Sequence, residues 1–158
     1  MAREFLSTYL NDHFAGSQAA LEILALLRKL DDSQVWRGIE QEITEDRHEL
    51  ERFIGTTGGA PPSAVRRAAA WTAEKFVELK THVDDPSTRG SFRRLELIEA
   101  LAIGIDGKQA LWAALQRTLA TTPGPGSLDY PRLIARAEAQ RRVVEGERLT
   151  AAAEALAP

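Results

Sequence analysis

Gly55-Thr-Thr-Gly-Gly-Ala-Pro-Pro62 opens a long interruption in an otherwise helix-forming chain, and His82-Val-Asp-Asp-Pro-Ser-Thr-Arg-Gly90 closes it. Glycine breaks helices through its backbone freedom, proline through its missing N–H. Between the two breaks, Ser63 offers a helix N-cap and no glycine or proline follows before His82, so a helix is expected over 63–81. At about 1.5 Å per residue it is roughly 27 Å long, close to the length of a small bundle. A connector of that length returns the chain to the end where the preceding helix began. The helices on either side of it should therefore run parallel.

Outward from this crossover lie four more helical segments, expected over about 3–30, 33–54, 91–120 and 129–156. In the first, Leu6, Leu10, His13, Ser17, Leu21 and Leu24 face one way, while Asn11, Gln18 and Glu22 fall on the polar side. Arg28 and Lys29 occupy its last turn, where cations complement the helix dipole. The second starts near Ser33 and should stop at Gly55. Ser91 begins the fourth. Asp129 or Ser127 caps the fifth, with Pro131 in its first turn. Short breaks make the first and second segments antiparallel neighbours, and likewise the fourth and fifth. Strand patterning is absent. The expected fold class is all-α, a four-helix bundle with a long crossover containing an extra helix, as one domain over 1–158.

Composition narrows the function. Twenty basic against 23 acidic residues leave a charge of −3 with no basic stripe, which argues against nucleic acid as a partner. Cysteine is absent, removing disulfides, thiolate nucleophiles and Cys-ligated metal. The N-terminal residues mix polar and apolar types at once, so no secretory signal is expected. No apolar run approaches the about 20 residues that span a bilayer. A soluble, cytoplasmic protein without membrane partners is the expectation. Neither a phosphate-binding loop nor a nucleophile elbow can be placed, since both need strands.

Three stretches carry a resemblance: Tyr9-Leu-Asn-Asp-His-Phe-Ala-Gly-Ser-Gln18, Glu42-Ile-Thr-Glu-Asp-Arg-His48 and Glu99-Ala-Leu-Ala-Ile-Gly-Ile-Asp-Gly-Lys108. On these and on its architecture the chain resembles the ferritin-like superfamily, in particular small uncharacterised bacterial bundles within it. The resemblance implies a site for two metal ions, held by a Glu from each of two helices and a Glu-x-x-His pair from each of the other two.

Glu45-Asp-Arg-His48 has that spelling, but rotational phase turns it outward. Ile39, Ile43, Leu50 and Phe53 define the apolar stripe of the second helix. At about 100° per residue Asp46 falls within the stripe and Glu42 and Glu49 on its flank, whereas Glu45 and His48 lie roughly 120° and 180° away. Asp46 must have a partner, because an unpaired buried carboxylate is costly. It is either part of an altered metal motif or one side of a buried ion pair, with Arg47 on the opposite flank. In the fourth helix Glu99 and Asp106 share a face with Leu95, Ala102 and Ala113. They present the same two alternatives, a metal ligand or a salt bridge. Gly104 and Gly107 suggest a close helix approach or a kink there.

The fifth helix has an inward stripe of Leu133, Ala137, Gln140, Val144, Ala151 and Ala155, with Glu147 and Arg148 at its edges. It contains no histidine, and Glu138 is followed three residues later by Arg141. The second Glu-x-x-His is missing. His13 is read as a hydrogen-bonded core residue and His82 as a helix C-terminal residue. Trp36, Trp71 and Trp112 are read as packing or interface residues.

Two functions follow. The first is a degenerate dimetal site without a cofactor, in a homodimer with a structural or binding role, its interior held by ion pairs drawn from Asp46, Arg47, Asp106 and Arg148. One such pair would join Asp46 to a basic residue of the fourth or fifth helix. The second is a carboxylate-rich metal-handling protein or dimetal oxidase using Glu42, Asp46, Glu49, Glu99, Asp106 and Glu147, with His13 as the nitrogen donor, for iron or manganese. A small-molecule binder with a pocket between helices is a third.

Overall fold

The computed structural model describes residues 2–57, 90–119 and 127–157. The described residues form four α-helices and no strand: α1 (Ala2–Leu30), α2 (Gln34–Thr56), α3 (Gly90–Leu119) and α4 (Tyr130–Leu156). The expected crossover helix over 63–81, with Trp71 and His82, lies outside them.

The helix ends obey local chemistry with two departures. Asp129 caps α4, its side chain accepting from the Arg132 backbone N–H at 3.1 Å, and Pro131 stands in the first turn, where no N–H is missed. Ser33 holds the N-cap position of α2 in extended conformation, yet its side chain makes no capping bond. Gly55 does not end α2, which runs to Thr56. The Thr56 and Thr57 hydroxyls donate to the Phe53 and Ile54 carbonyls at 2.7 and 2.9 Å, so the last carbonyls are satisfied without a left-handed glycine.

Two apolar clusters fill the interior. One joins Leu24 and Leu27 of α1, Trp36 and Ile39 of α2, Leu97, Ile98 and Leu101 of α3, and Ala151 of α4. The other joins Leu10, Leu50, Phe53, Leu111, Trp112, Leu115, Tyr130 and Leu133. Each large side chain so buried contributes about 1.5–3 kcal/mol. The clusters also orient the helices. The C-terminal part of α1, the N-terminal parts of α2 and α3 and the C-terminal part of α4 meet at one end. Hence α1 and α2 are antiparallel, α3 and α4 are antiparallel, and α2 and α3 run parallel. Packing is closest between α3 and α4, with α1 against both α2 and α3.

Rotational phase agrees with the sequence for two helices and not for α3. Ile39, Ile43, Asp46, Leu50 and Phe53 are buried on α2, and Leu133, Ala137, Gln140, Val144 and Ala151 on α4. On α3 the innermost line is Ile98, Leu101, Ile105, Trp112 and Leu115, with Lys108 in register, while Glu99, Asp106 and Ala113 are exposed. The stripe expected through Leu95, Glu99, Ala102 and Asp106 is thus turned by about one residue, or 100°. Apolar side chains surround much of this helix, so its hydrophobicity alone does not select a face. On α1, Asn11 is buried rather than on the polar side; its amide donates to the Ser7 carbonyl at 2.6 Å, which satisfies it locally.

Candidate functional site

Between the two apolar clusters the bundle carries a charged layer. Asp46 is 2% exposed. Lys108 Nζ donates to Asp46 Oδ2 at 2.5 Å and also to Gln140 Oε1. Arg136 Nη2 donates to the other Asp46 oxygen, and its Nη1 reaches Glu45 at 2.8 Å. Gln140 Nε2 donates to Glu42 at 2.8 Å, and Arg132 takes both oxygens of Glu49 at 2.6 and 2.8 Å. One buried carboxylate from α2 therefore meets an ammonium from α3 and a guanidinium from α4. Burial pushes the Lys108 ammonium below its ordinary pKa, opposed by the charge and hydrogen bond of Asp46.

The remaining sequence candidates are dispersed. Glu99 is exposed and lies 3.5 Å from Arg148, and Asp106 is exposed and pairs with Arg141 at 3.1 Å. Asp106 is thus no buried ion-pair member, because the rotation of α3 places it at the surface. Arg148 is engaged chiefly by Glu145 at 2.6 Å. Arg148 and, less strongly, Arg141 hold the Glu145 carboxyl down at about 2. Glu147 pairs with Arg94 at 2.9 Å. Among the described residues Arg47 bonds no carboxylate: its Nη1 donates to the Phe14 carbonyl and to Ser17 Oγ, both at 2.6 Å, and its guanidinium stacks 3.6 Å over the Phe14 ring. Glu45 and His48 are exposed. Among the described residues no three His, Cys, Asp or Glu side chains converge on a position that could hold a metal ion.

On the α1 side of this layer lies a cavity of about 310 Å³ between α1, α2 and α3. Asp46, Lys108, Arg47, Ser17 and His13 all reach it. Gly16, Gly104 and Gly107 also line it, and a Cβ added at any of them meets no atom of the described residues within 4 Å. Among the described residues the two α3 glycines therefore border open space, which argues against the close helix approach, one of the two readings of the sequence. His13, packed edge-on to Tyr9 at 4.6 Å, has its pKa lowered by burial against a smaller opposing pull from Asp12. Trp112 is 1% exposed, and its indole N–H finds no hydrogen-bond partner among the described residues.

Sequence reasoning passed over Lys108 and Arg136. For Lys108 a signal existed: it continues the 3–4 spacing of Ile98, Leu101 and Ile105. Arg136 adjoins the buried Ala137 and reaches inward from the flank, which its length permits. Compared with family models, curated proteins and solved structures, the chain finds no match.

Proposed function

We propose that the chain is a ferritin-like bundle in which ion pairs replace the dimetal centre, with a structural or binding role. Parallel α2 and α3 flanked by antiparallel α1 and α4 support this reading, since that connectivity belongs to such bundles. Lys108 carries it. At mid-bundle an ammonium with 13% side-chain exposure binds the carboxylate that would otherwise serve a metal. Lys108 and Arg136 neutralise Asp46 and repel a dication, and Glu99 and Asp106 of α3 lie on the surface. No helix of the described residues is long and apolar enough to cross a membrane. A homodimer belongs to the same reading, built on exposed apolar side chains such as Ile103, which is 73% exposed.

The test is elemental analysis of protein purified from cells supplemented with iron and manganese. The expected content is far below one equivalent per chain. Near-stoichiometric metal, lost in Asp46→Ala or Glu99→Ala, overturns the proposal.

A further inference from the structure

We infer that the cavity between α1, α2 and α3 binds a small amphiphilic carboxylate, an apolar body bearing one anionic head. The inference rests on the ion-paired reading of the centre, because Lys108 must remain there as a donor rather than yield to a metal. A volume of about 310 Å³ lies at the lower end of small-molecule sites. Carbon dominates the walls, supplied by Ala20, Ile43, Leu50, Ile105, Leu111 and Trp112.

The polar groups at this cavity are unequally used. Its buried carboxylate and hydroxyl are engaged, and the His13 ring, with one donor and one acceptor nitrogen when neutral, favours neither sign. Asp46 gives one oxygen to Lys108 and the other to Arg136, and Ser17 Oγ accepts from Arg47 while donating to the Phe14 carbonyl. Its donors are not all engaged. An ammonium has three N–H groups, and Lys108 commits two, to Asp46 and Gln140. Among the described residues Arg47 commits only Nη1, leaving Nε and Nη2, and no carboxylate there lies within ion-pair distance of it. Burial lowers the Arg47 pKa, opposed by the charge of Glu51. Trp112, whose indole N–H has no partner among the described residues, also lines the cavity. Asp12, the other carboxylate on the lining, is exposed, where solvent screens it. An acceptor anion on a hydrocarbon body satisfies both the donors and the walls. A planar carboxylate also matches the guanidinium fork.

Titration calorimetry of the full chain with octanoate, octan-1-ol and octylamine tests this, with metal content measured on the same sample. Octanoate is expected to bind at least about tenfold more tightly than the alcohol, with the amine weakest. Arg47→Met should erase the preference for octanoate, and Arg47→Lys should keep part of it. Gly104→Leu provides a second variant that leaves the charges in place; its side chain grows into open space at the lining and should weaken octanoate binding by a similar factor. Equal binding of acid and alcohol, no binding of either, or octanoate uptake unchanged in Gly104→Leu overturns the inference. If any of these occurs in metal-free protein, the ion-paired centre still stands. Stoichiometric metal would remove the ion-paired centre instead.

Discussion

The two sides of the Asp46 layer solve the same problem differently. Towards α4, the space between helices is filled by long side chains whose polar ends meet: Lys108, Arg136 and Gln140 converge on Asp46 and Glu42. Towards α1, small residues leave the space open, with Gly16, Gly104 and Gly107 all lining a cavity. A charged group in a bundle interior is tolerable either when protein groups of opposite sign close around it or when solvent or a ligand can reach it. Here the closed side supplies stability, and the open side holds the donors that remain to be satisfied.

The sharpest way to break the closed side is Asp46→Ala. Lys108 and Arg136, with 13% and 17% side-chain exposure, would lose their shared anion, and a loss of about 3–5 kcal/mol is expected in urea denaturation. Gln140→Leu removes a bridge rather than the charge. It should cost about 1–3 kcal/mol, because one donor of Lys108 and one acceptor of Glu42 lose their buried partner. The open side should respond with the opposite sign. Gly104→Ala is expected to stabilise by about 0.5–1 kcal/mol, since alanine lowers the entropy of the unfolded chain and its Cβ meets nothing of the described residues within 4 Å.

The two sides also separate on the pH axis. On the closed side burial lowers the Lys108 pKa, so the folded chain releases that proton before the unfolded chain does at 10.5. Its contribution to stability should rise with pH up to that value, and Lys108→Met should remove the rise. On the open side burial lowers the His13 pKa, so the unfolded chain takes up a proton near 6.5 while the folded chain waits for lower pH. Stability should fall as pH drops below 6.5, and His13→Gln should flatten that slope in denaturation curves recorded across the range. The smallest effect belongs to neither side: His48→Ala, at an exposed position, should stay within about 0.5 kcal/mol of the parent.

Legibility followed the strength of the pattern. On α2, Ile39, Ile43, Leu50 and Phe53 contrast with charged neighbours, so the wheel has one answer and Asp46 falls inside it. On α3, Leu95, Leu97, Ile98, Leu101, Ala102, Ile103 and Ile105 cover most of the circumference, and only packing distinguishes Ile103, which is 73% exposed, from Ile105 at 1%. That ambiguity moved Glu99 and Asp106 inward on paper and concealed Lys108. Arg136 was hidden for another reason: a long cation's charge sits several ångströms from its Cα, so its helical position does not say where the charge ends.

From the residues alone came the all-helical class, the starts of all four described helices to within a residue, and the burial of Asp46. These depend on local capping and on a repeat every 3.6 residues, which a single helix expresses. Which cation meets that carboxylate, which face α3 turns inward, and that glycines of α1 and α3 leave a cavity were decided only by the assembled bundle. Each depends on positions 16 and 104, 46 and 108 or 46 and 136 coming together, and pairing between helices leaves no periodic trace in either one.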